Sequence, residues 1–491
     1  MSDVVLALDC GSHAVRALAF DVRTGASTTC ATEDIPLSFP HPGWVEVDPE
    51  LLASAATRVI RSSLEWAADL GHDVVALGVT NMRETALVWR RSDPAPLYQG
   101  IMWMSQQSAP TVERWRELGL DTLIRERTGL GNDAFFFGSK LAWLLEHDPQ
   151  VARASDAGDL AVGTVDTWLV HRLTGGQVHR TDTSNGCRTQ LMNLRDLSWD
   201  AQLCDALGIP MGCLPELTPT MAHYGVTDAV VCGQEIPITG VIADQQGSLL
   251  GHGCEDVGGM KATFGTSGVV SLNTGADTSL HDGMVTCVAW TTDAGEVQYE
   301  VEGSAFHSGY TMGWLSERLG HPVDWEMPVD PPEVPVGDRV FVLPSFTAMG
   351  APRWPRGRGA VIAGLAMDTT TSDVMRAGVE AMAFQAYDLF EAMGDAAQQT
   401  DEVDVDGGGA TNDYLCQLLA DLIERDVVRP QMTELTSVGA AKAALRGAGR
   451  EVDRYFGQDR PAAERFHPRS GHRYAKDGYA RWVELVETVL R

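Results

Sequence analysis

One spacing constrains this chain more than any other. Gly-[Ser/Thr]-x-x-Val-x-x-Leu occurs twice, from Gly11 to Leu18 and from Gly265 to Leu272. Each copy lies between apolar runs. Residues 4–8 read as a buried strand and 17–21 as its return; residues 260–264 and 269–273 repeat the pattern. A glycine turn between apolar strands is common by itself. Two copies about half a chain apart are what two similar lobes facing one cleft would carry. A chain of 491 residues is also too long for a single hydrophobic core. We therefore expect two α/β lobes, 1–245 and 246–491, since strand-like and helix-like stretches alternate throughout.

Composition removes several function classes. The formal net charge is −30, so the chain should repel nucleic acid and acidic membranes. No apolar run reaches the roughly 18 residues of a membrane span, and the start has no basic region or cleavage pattern. The nine cysteines are scattered and form no Cys-x-x-Cys pair, which fits reduced thiols in a cytoplasmic protein. The same negative charge makes a nucleotide an awkward ligand. If one binds, local arginines, backbone N–H dipoles and a bound cation must reverse the field.

Four local features point to phosphoryl transfer. The first is Asp9-Cys10-Gly11-Ser12-His13 with Arg16: a carboxylate at a strand end, then a tight turn whose N–H groups can meet phosphate oxygens while Asp9 serves Mg2+. An ordinary hairpin with a turn aspartate is an equal reading of that stretch alone. The second is Gly265-Thr266-Ser267-Gly268, two glycines and two hydroxyls in four residues. The third is Asp406-Gly407-Gly408-Gly409-Ala410-Thr411-Asn412, a strand running through glycines into a helix, a site for anions or for a flat base against backbone. The fourth is Asp244-Gln245-Gln246-Gly247 after an apolar strand. There a carboxylate can cap a helix or, in a cleft, act as a general base.

Collinear stretches then resemble one family. They are Asp9-x-Gly11-Ser12, Pro42-Gly43-Trp44-Val45-Glu46-x-Asp48-Pro49, Thr80-Asn81-x-Arg83-Glu84-Thr85, Gly163-Thr164-Val165-Asp166-Thr167-Trp168-Leu169, Thr181-Asp182-x-Ser184-Asn185 and Asp244-Gln245-Gln246. With residues 406–412 they span nearly the whole chain. The chain resembles the FGGY carbohydrate kinases, most closely the glycerol kinases among them, with the first family signature at 140–147 and the second from Gly359 to Glu380. The resemblance implies a pair of actin-like, ribonuclease H-like ATPase lobes around a cleft. It implies ATP and Mg2+ as cofactors, glycerol or another small polyol as acceptor, and homo-oligomers as a common state. A kinase for a tetritol, pentitol or ketose is the second reading, and a non-catalytic actin-like ATP-binding protein the third.

Carried over residue by residue, the resemblance makes Asp244 the catalytic base and Asp9, with Asp244, the Mg2+ carboxylates acting through water. Arg83, Glu84, Trp103, Phe135, Asp244 and Gln245 match acceptor-holding positions. Ser12, His13, Arg16, Gly265, Thr266, Gly309, Gly408 and Asn412 match or neighbour ATP contacts. Several positions depart from the family pattern. His13 replaces a Thr, Phe135 a hydrogen-bonding Tyr, Val269 a Phe that packs on the polyol, and Gly313 a Gln. Met104-Ser105-Gln106-Gln107 replaces a more basic run, and Arg353-Trp354-Pro355 replaces Tyr-Trp-Asp. The stretch from Val230 to Glu235 lacks the basic, glycine-rich character of a fructose bisphosphate loop, so that regulation is not expected.

Overall fold

The computed structural model describes residues 2–320, 327–330, 334–346, 349–354, 359–457, 460–470 and 473–489; Pro355 lies outside them. Two sheets carry the chain. The first is built from β1 (Asp3–Cys10), β2 (Ala14–Asp21), β3 (Ser27–Asp34), β4 (Asp73–Asn81), β5 (Gly225–Val226) and β6 (Pro237–Ala243), in the order β5-β6-β4-β1-β2-β3. β1, β2 and β3 form an antiparallel meander, while β4 and β6 add parallel strands on the other side of β1. All of β1 beyond Asp3 is buried, as expected for a central strand covered on both faces.

The second sheet repeats the plan. It contains β7 (Met260–Phe264), β8 (Gly268–Gly275), β9 (Val285–Thr291), β10 (Val297–Ala305), β11 (Glu402–Asp406), β12 (Asp426–Arg429) and β13 (Glu464–Phe466), in the order β9-β10-β8-β7-β11-β12-β13. β7, β8 and β10 make the antiparallel part, and β11 and β12 the parallel part. The duplicated turn of the sequence thus sits at equivalent places, between β1 and β2 and between β7 and β8. In both copies the turn glycine's N–H bonds back to a carbonyl, Gly11 to Ala14 and Gly265 to Ser267, each at 3.0 Å.

Helix α1 (Pro49–Leu70) covers the first sheet. Asp48 caps it by accepting from the Glu50 N–H, Pro49 needs no partner at the first position, and Gly71 closes it in the left-handed region. Its face of Leu52, Ala56, Val59 and Ile60 enters a core with Leu6, Leu8, Val15 and Leu77. The insertion between β4 and β6 has its own core around Trp115, Phe137, Leu141 and Leu144.

Helix α2 (Asp244–Gly251) follows β6 directly, so a division at residue 245 falls in its first turn. Helix α3 (Leu435–Gly447) belongs to the second half yet packs on the first sheet and on α2. Glycines make that approach possible: a Cβ on Gly240 would lie 2.3 Å from the Ala444 nitrogen, and one on Gly439 would lie 1.9 Å from the Gly247 oxygen. No helix among the described residues is long and apolar enough to cross a membrane.

Candidate active site between the sheets

The parallel strands of the first sheet end side by side. Ala243 pairs with Asn81, and Cys10 with Asn81 from the other side. Asp9, the Arg83-Glu84 pair and Asp244 therefore leave the sheet at one edge, the edge where ligands bind in open α/β sheets. Glu84 sits at φ 60°, an uncommon conformation for a residue with a Cβ, which turns its carboxylate back beside Arg83.

Two cavities meet there. The first, about 540 Å³, is lined by Arg83, Glu84, Asp244 and Gln245 on its polar side. Val45, Trp103, Met104, Phe135, Val269, Phe306 and Trp354 form its apolar side. The second, about 500 Å³, is lined by Gly265, Thr266, Gly309, Gly313, Gly408 and Gly409. Thr266 and Tyr310 line both. All six expected acceptor-site residues thus share one cavity, and four of the expected nucleotide residues share its neighbour.

The polar end is an ion-pair lattice. Arg83 is 6 % exposed and bonds Glu302 through two nitrogens, at 2.6 and 3.1 Å. Its Nε lies 3.2 Å from the Asp244 carboxylate and 3.7 Å from Glu84. Arg188 holds Glu84 from the far side at 2.6 Å and reaches Glu302 at 3.3 Å. Burial works to raise the Glu302 carboxyl, but the Arg83 and Arg188 guanidiniums overcome it and hold it at about 2. For Asp244 burial wins: with Glu84 and Glu302 adding negative charge and Arg83 opposing, its carboxyl is pushed up to about 6. A carboxylate poised there, with a side chain still 32 % exposed towards the cavity, is chemically suited to take a proton from a hydroxyl.

Gln245 is oriented by the buried Lys261 amine, which also bonds the Thr263 hydroxyl at 2.9 Å. Phe135 is held through its backbone: the buried Lys140 amine bonds the carbonyls of Phe135 and Phe136, at 2.5 and 3.2 Å. Trp103 stands edge-on to Phe135 at 5.7 Å, and its indole N–H donates to the Ser12 hydroxyl at 2.9 Å. The first turn and the acceptor wall are therefore joined.

Asp9 is buried and bonds Arg16 at 2.5 Å; Arg16 continues to Glu434 at 2.8 Å. Burial raises the Asp9 carboxyl despite Arg16. His13 is exposed, and its carbonyl accepts from the Ile35 N–H at 2.7 Å. Asn412 caps the helix Asp413–Ile423 by accepting from the Leu415 N–H at 2.9 Å, while its buried amide nitrogen has no hydrogen-bond partner among the described residues.

In the second turn, Gly309 and Tyr310 donate backbone N–H groups to the carbonyls of Gly265 and Thr266, at 3.0 and 3.1 Å. Glu302, Arg188, Lys261, Phe306 and Tyr310 escaped the sequence reading. One signal was present: Glu300 and Glu302 stand two apart on one face of the apolar strand β10, and both are buried. Buried charges on a strand demand partners.

For Mg2+, no group of three or more His, Cys, Asp or Glu side chains suited to a metal occurs among the described residues. The donors offered are single carboxylates at the ends of β1 and β6, Asp9 and Asp244, with β4 between them. Hard oxygen donors few in number suit a cation that keeps much of its water and takes phosphate oxygens as well.

Comparison with known proteins places this geometry. Residues 4–251 match the N-terminal domain of the FGGY family of carbohydrate kinases, and residues 260–448 match its C-terminal domain. A glycerol kinase of Chromobacterium violaceum is 40 % identical over 463 residues, covering 92 % of this chain and 91 % of its own length. A glycerol kinase of Citrifermentans bemidjiense is 38 % identical over 491 residues, covering 99 % of each. Among solved structures, Plasmodium falciparum glycerol kinase with ADP is similar at a TM-score of 0.91 and 26 % identity, over 100 % of this chain and 99 % of that one. Gluconate kinase from Lactobacillus acidophilus, at 19 % identity and a TM-score of 0.86 over 100 % of this chain and 99 % of that one, shares the fold.

Proposed function

The chain belongs to the FGGY family of carbohydrate kinases, and from that premise we propose that it transfers the γ-phosphoryl group of ATP to glycerol. The observation that carries this reading is the 3.2 Å contact of Asp244 with Arg83 at the polar end of a cavity that adjoins a glycine-lined second one. The acceptor lies in the first cavity, its hydroxyls held by Arg83, Glu84 and Gln245 and its carbons against Trp103. ATP lies in the second, its phosphates towards the Gly265–Thr266 turn and its adenosine towards Gly408. Asp244 accepts the hydroxyl proton as the phosphoryl group moves in line. Asp9 and Asp244 would hold Mg2+, which would supply positive charge against the phosphates. Arg83 keeps its charge because Glu302 and Glu84 surround it, so it stays a fixed donor instead of a competing acid. We divide the catalytic work between the halves, acceptor and base on 1–245 and nucleotide on 246–491, and place the protein in the cytoplasm.

A second acceptor class, a longer polyol or ketose, is favoured by one observation. At positions 135 and 269 the cavity lining carries Phe and Val, which offer no hydrogen-bond donor at either position and no ring at the second. An ADP-release assay with glycerol, tetritols, pentitols and ketoses decides between them. Glycerol is expected to give the highest kcat/KM. A tetritol or ketose exceeding it tenfold would overturn the assignment of acceptor, and ADP release independent of any acceptor would overturn the kinase reading.

A further inference from the structure

Two stretches that mark the family resemblance take no part in the chemistry described so far: residues 163–169 and 181–185. The fold brings them together beneath the catalytic edge. Asp166 accepts from the hydroxyl of Thr181 at 2.7 Å and from the Asp182 N–H at 3.3 Å. Asp182, fully buried, accepts in turn from the N–H groups of Ser184 and Asn185, each at 2.8 Å, and from the Thr220 hydroxyl at 3.0 Å. Two carboxylates in a dry interior are retained only with such dense hydrogen bonding. Two bonds lead from this cluster to the active site. The Asn185 amide exchanges hydrogen bonds with Asn81 at 3.0 and 3.1 Å, at the end of the strand that delivers Arg83 and Glu84. The Ser184 hydroxyl donates to Asp182 at 2.6 Å and accepts from the Ala243 N–H at 2.9 Å.

The second bond is the consequential one. Ala243 is the last residue of β6 and immediately precedes Asp244. The outer edge of β6 is paired with a strand only at Pro237 and Ile238, so the N–H groups beyond must find other partners. Val241 uses the Thr220 carbonyl at 3.0 Å, and Ala243 uses Ser184. Because a hydroxyl has one proton, its donation to Asp182 fixes its lone pairs towards Ala243. Among the described residues the Asp244 side chain has no comparable tether: it meets Arg83 and its own neighbour's N–H, Gln245 at 2.7 Å.

We propose that Ser184, oriented by Asp182, is a positioning residue for phosphoryl transfer: it clamps the backbone before Asp244 and so fixes where that carboxylate stands against Arg83 and the acceptor. The inference rests on Asp244 being the base. A misplacement of a fraction of an ångström at a base costs turnover, not substrate binding. It also changes the 3.2 Å Arg83–Asp244 contact.

The test compares Ser184→Ala with Thr220→Val in the full chain. Both delete a hydroxyl bonded to Asp182, but only the first frees Ala243. Ser184→Ala is expected to lower kcat about tenfold with KM for ATP and for glycerol within about twofold. Thr220→Val is expected to lower thermal stability and leave kcat in place. Ser184→Ala behaving like Thr220→Val overturns the proposal. Should Ser184→Ala not fold, Ser184→Cys keeps the volume with a much weaker acceptor. The same loss of kcat then supports the role, and wild-type kcat overturns it. Asp244→Asn separates the two readings: if it retains turnover the base assignment itself fails, whereas an inactive Asp244→Asn beside an unaffected Ser184→Ala fails only the clamp.

Discussion

At the ends of the first sheet stand charged side chains: Asp9 after β1, Arg83 and Glu84 after β4, Asp244 after β6. At the corresponding ends of the second stand glycines: Gly265 after β7 and Gly407 to Gly409 after β11. Five strands of each sheet pair in the same sense, β6-β4-β1-β2-β3 and β12-β11-β7-β8-β10, so the scaffold does not dictate the chemistry. The first copy places groups that hold hydroxyls and move a proton. The second places backbone N–H groups where a bulky, highly charged ligand needs close approach, and its strand-end carboxylate, Asp406, is engaged by Ser248 and His252. In a chain of net charge −30 that division matters, because an unpartnered carboxylate at the second edge would repel the triphosphate.

The sharpest break of this contrast is removal of the base. Asp244→Asn keeps the shape and the neighbours, so turnover should fall about 10²–10⁴-fold while ADP still binds. Near-normal turnover by ADP release would move the chemistry elsewhere. The raised carboxyl gives a second readout. Wild-type kcat/KM should fall as pH drops below about 6, since the base must be ionised. Stability runs the other way. The folded state holds this proton more tightly than the unfolded one, so Asp244 lowers stability as pH rises from its ordinary 3.8 to about 6, and Asp244→Asn abolishes that slope.

Next in size is the ion-pair lattice. Glu302→Ala strips Arg83 of its two-nitrogen partner inside a dry site. The unfolding free energy should drop by about 3–5 kcal/mol in denaturant titrations, with acceptor KM raised. A loss under about 1 kcal/mol, the range of an exposed pair, would mean that water already screens the lattice.

How much of this was legible in the sequence follows the same divide. The repeated glycine spacing foretold the duplication, because a tight turn between buried strands is written locally. Asp244, Arg83 and Glu84 were legible only through their flanking stretches; taken singly, each also read as a cap or a surface pair. Glu302 and Arg188 were not found because their partners lie 219 and 104 residues away, and no local pattern encodes such a pairing. Asn412, expected at the nucleotide, caps a helix with its oxygen, a role its position before Asp413 also permits. The crossing of α3 onto the first sheet was hidden because a stripe of Gly and Ala is compatible with many packings.

The glycine edge is tested by Gly309→Ala. A Cβ there would lie 2.5 Å from the Gly265 carbonyl oxygen, backbone that cannot rotate away, so the turn must shift. KM for ATP should rise about tenfold, near 1.4 kcal/mol, with acceptor KM held within about twofold. An equal rise in both constants would show that the two edges move as one and would blur the contrast drawn here.

The smallest effect separates the acceptor wall from its polar floor. Phe135 lines the same cavity as Arg83 and Asp244, and the Arg188 guanidinium stands 5.9 Å from its ring centre, so a change is made at its rim. Phe135→Tyr adds one hydroxyl at that rim. If the acceptor is a small polyol lying between wall and floor, one new hydrogen bond should raise kcat/KM for glycerol a few-fold, about 0.5–1.5 kcal/mol, chiefly through KM. If the native acceptor instead presents carbon to the wall, the new hydroxyl is buried without a partner, and kcat/KM for that acceptor falls while glycerol gains. The sign of the change across an acceptor panel thus reports which part of the substrate faces residue 135, independently of the base and of the nucleotide edge.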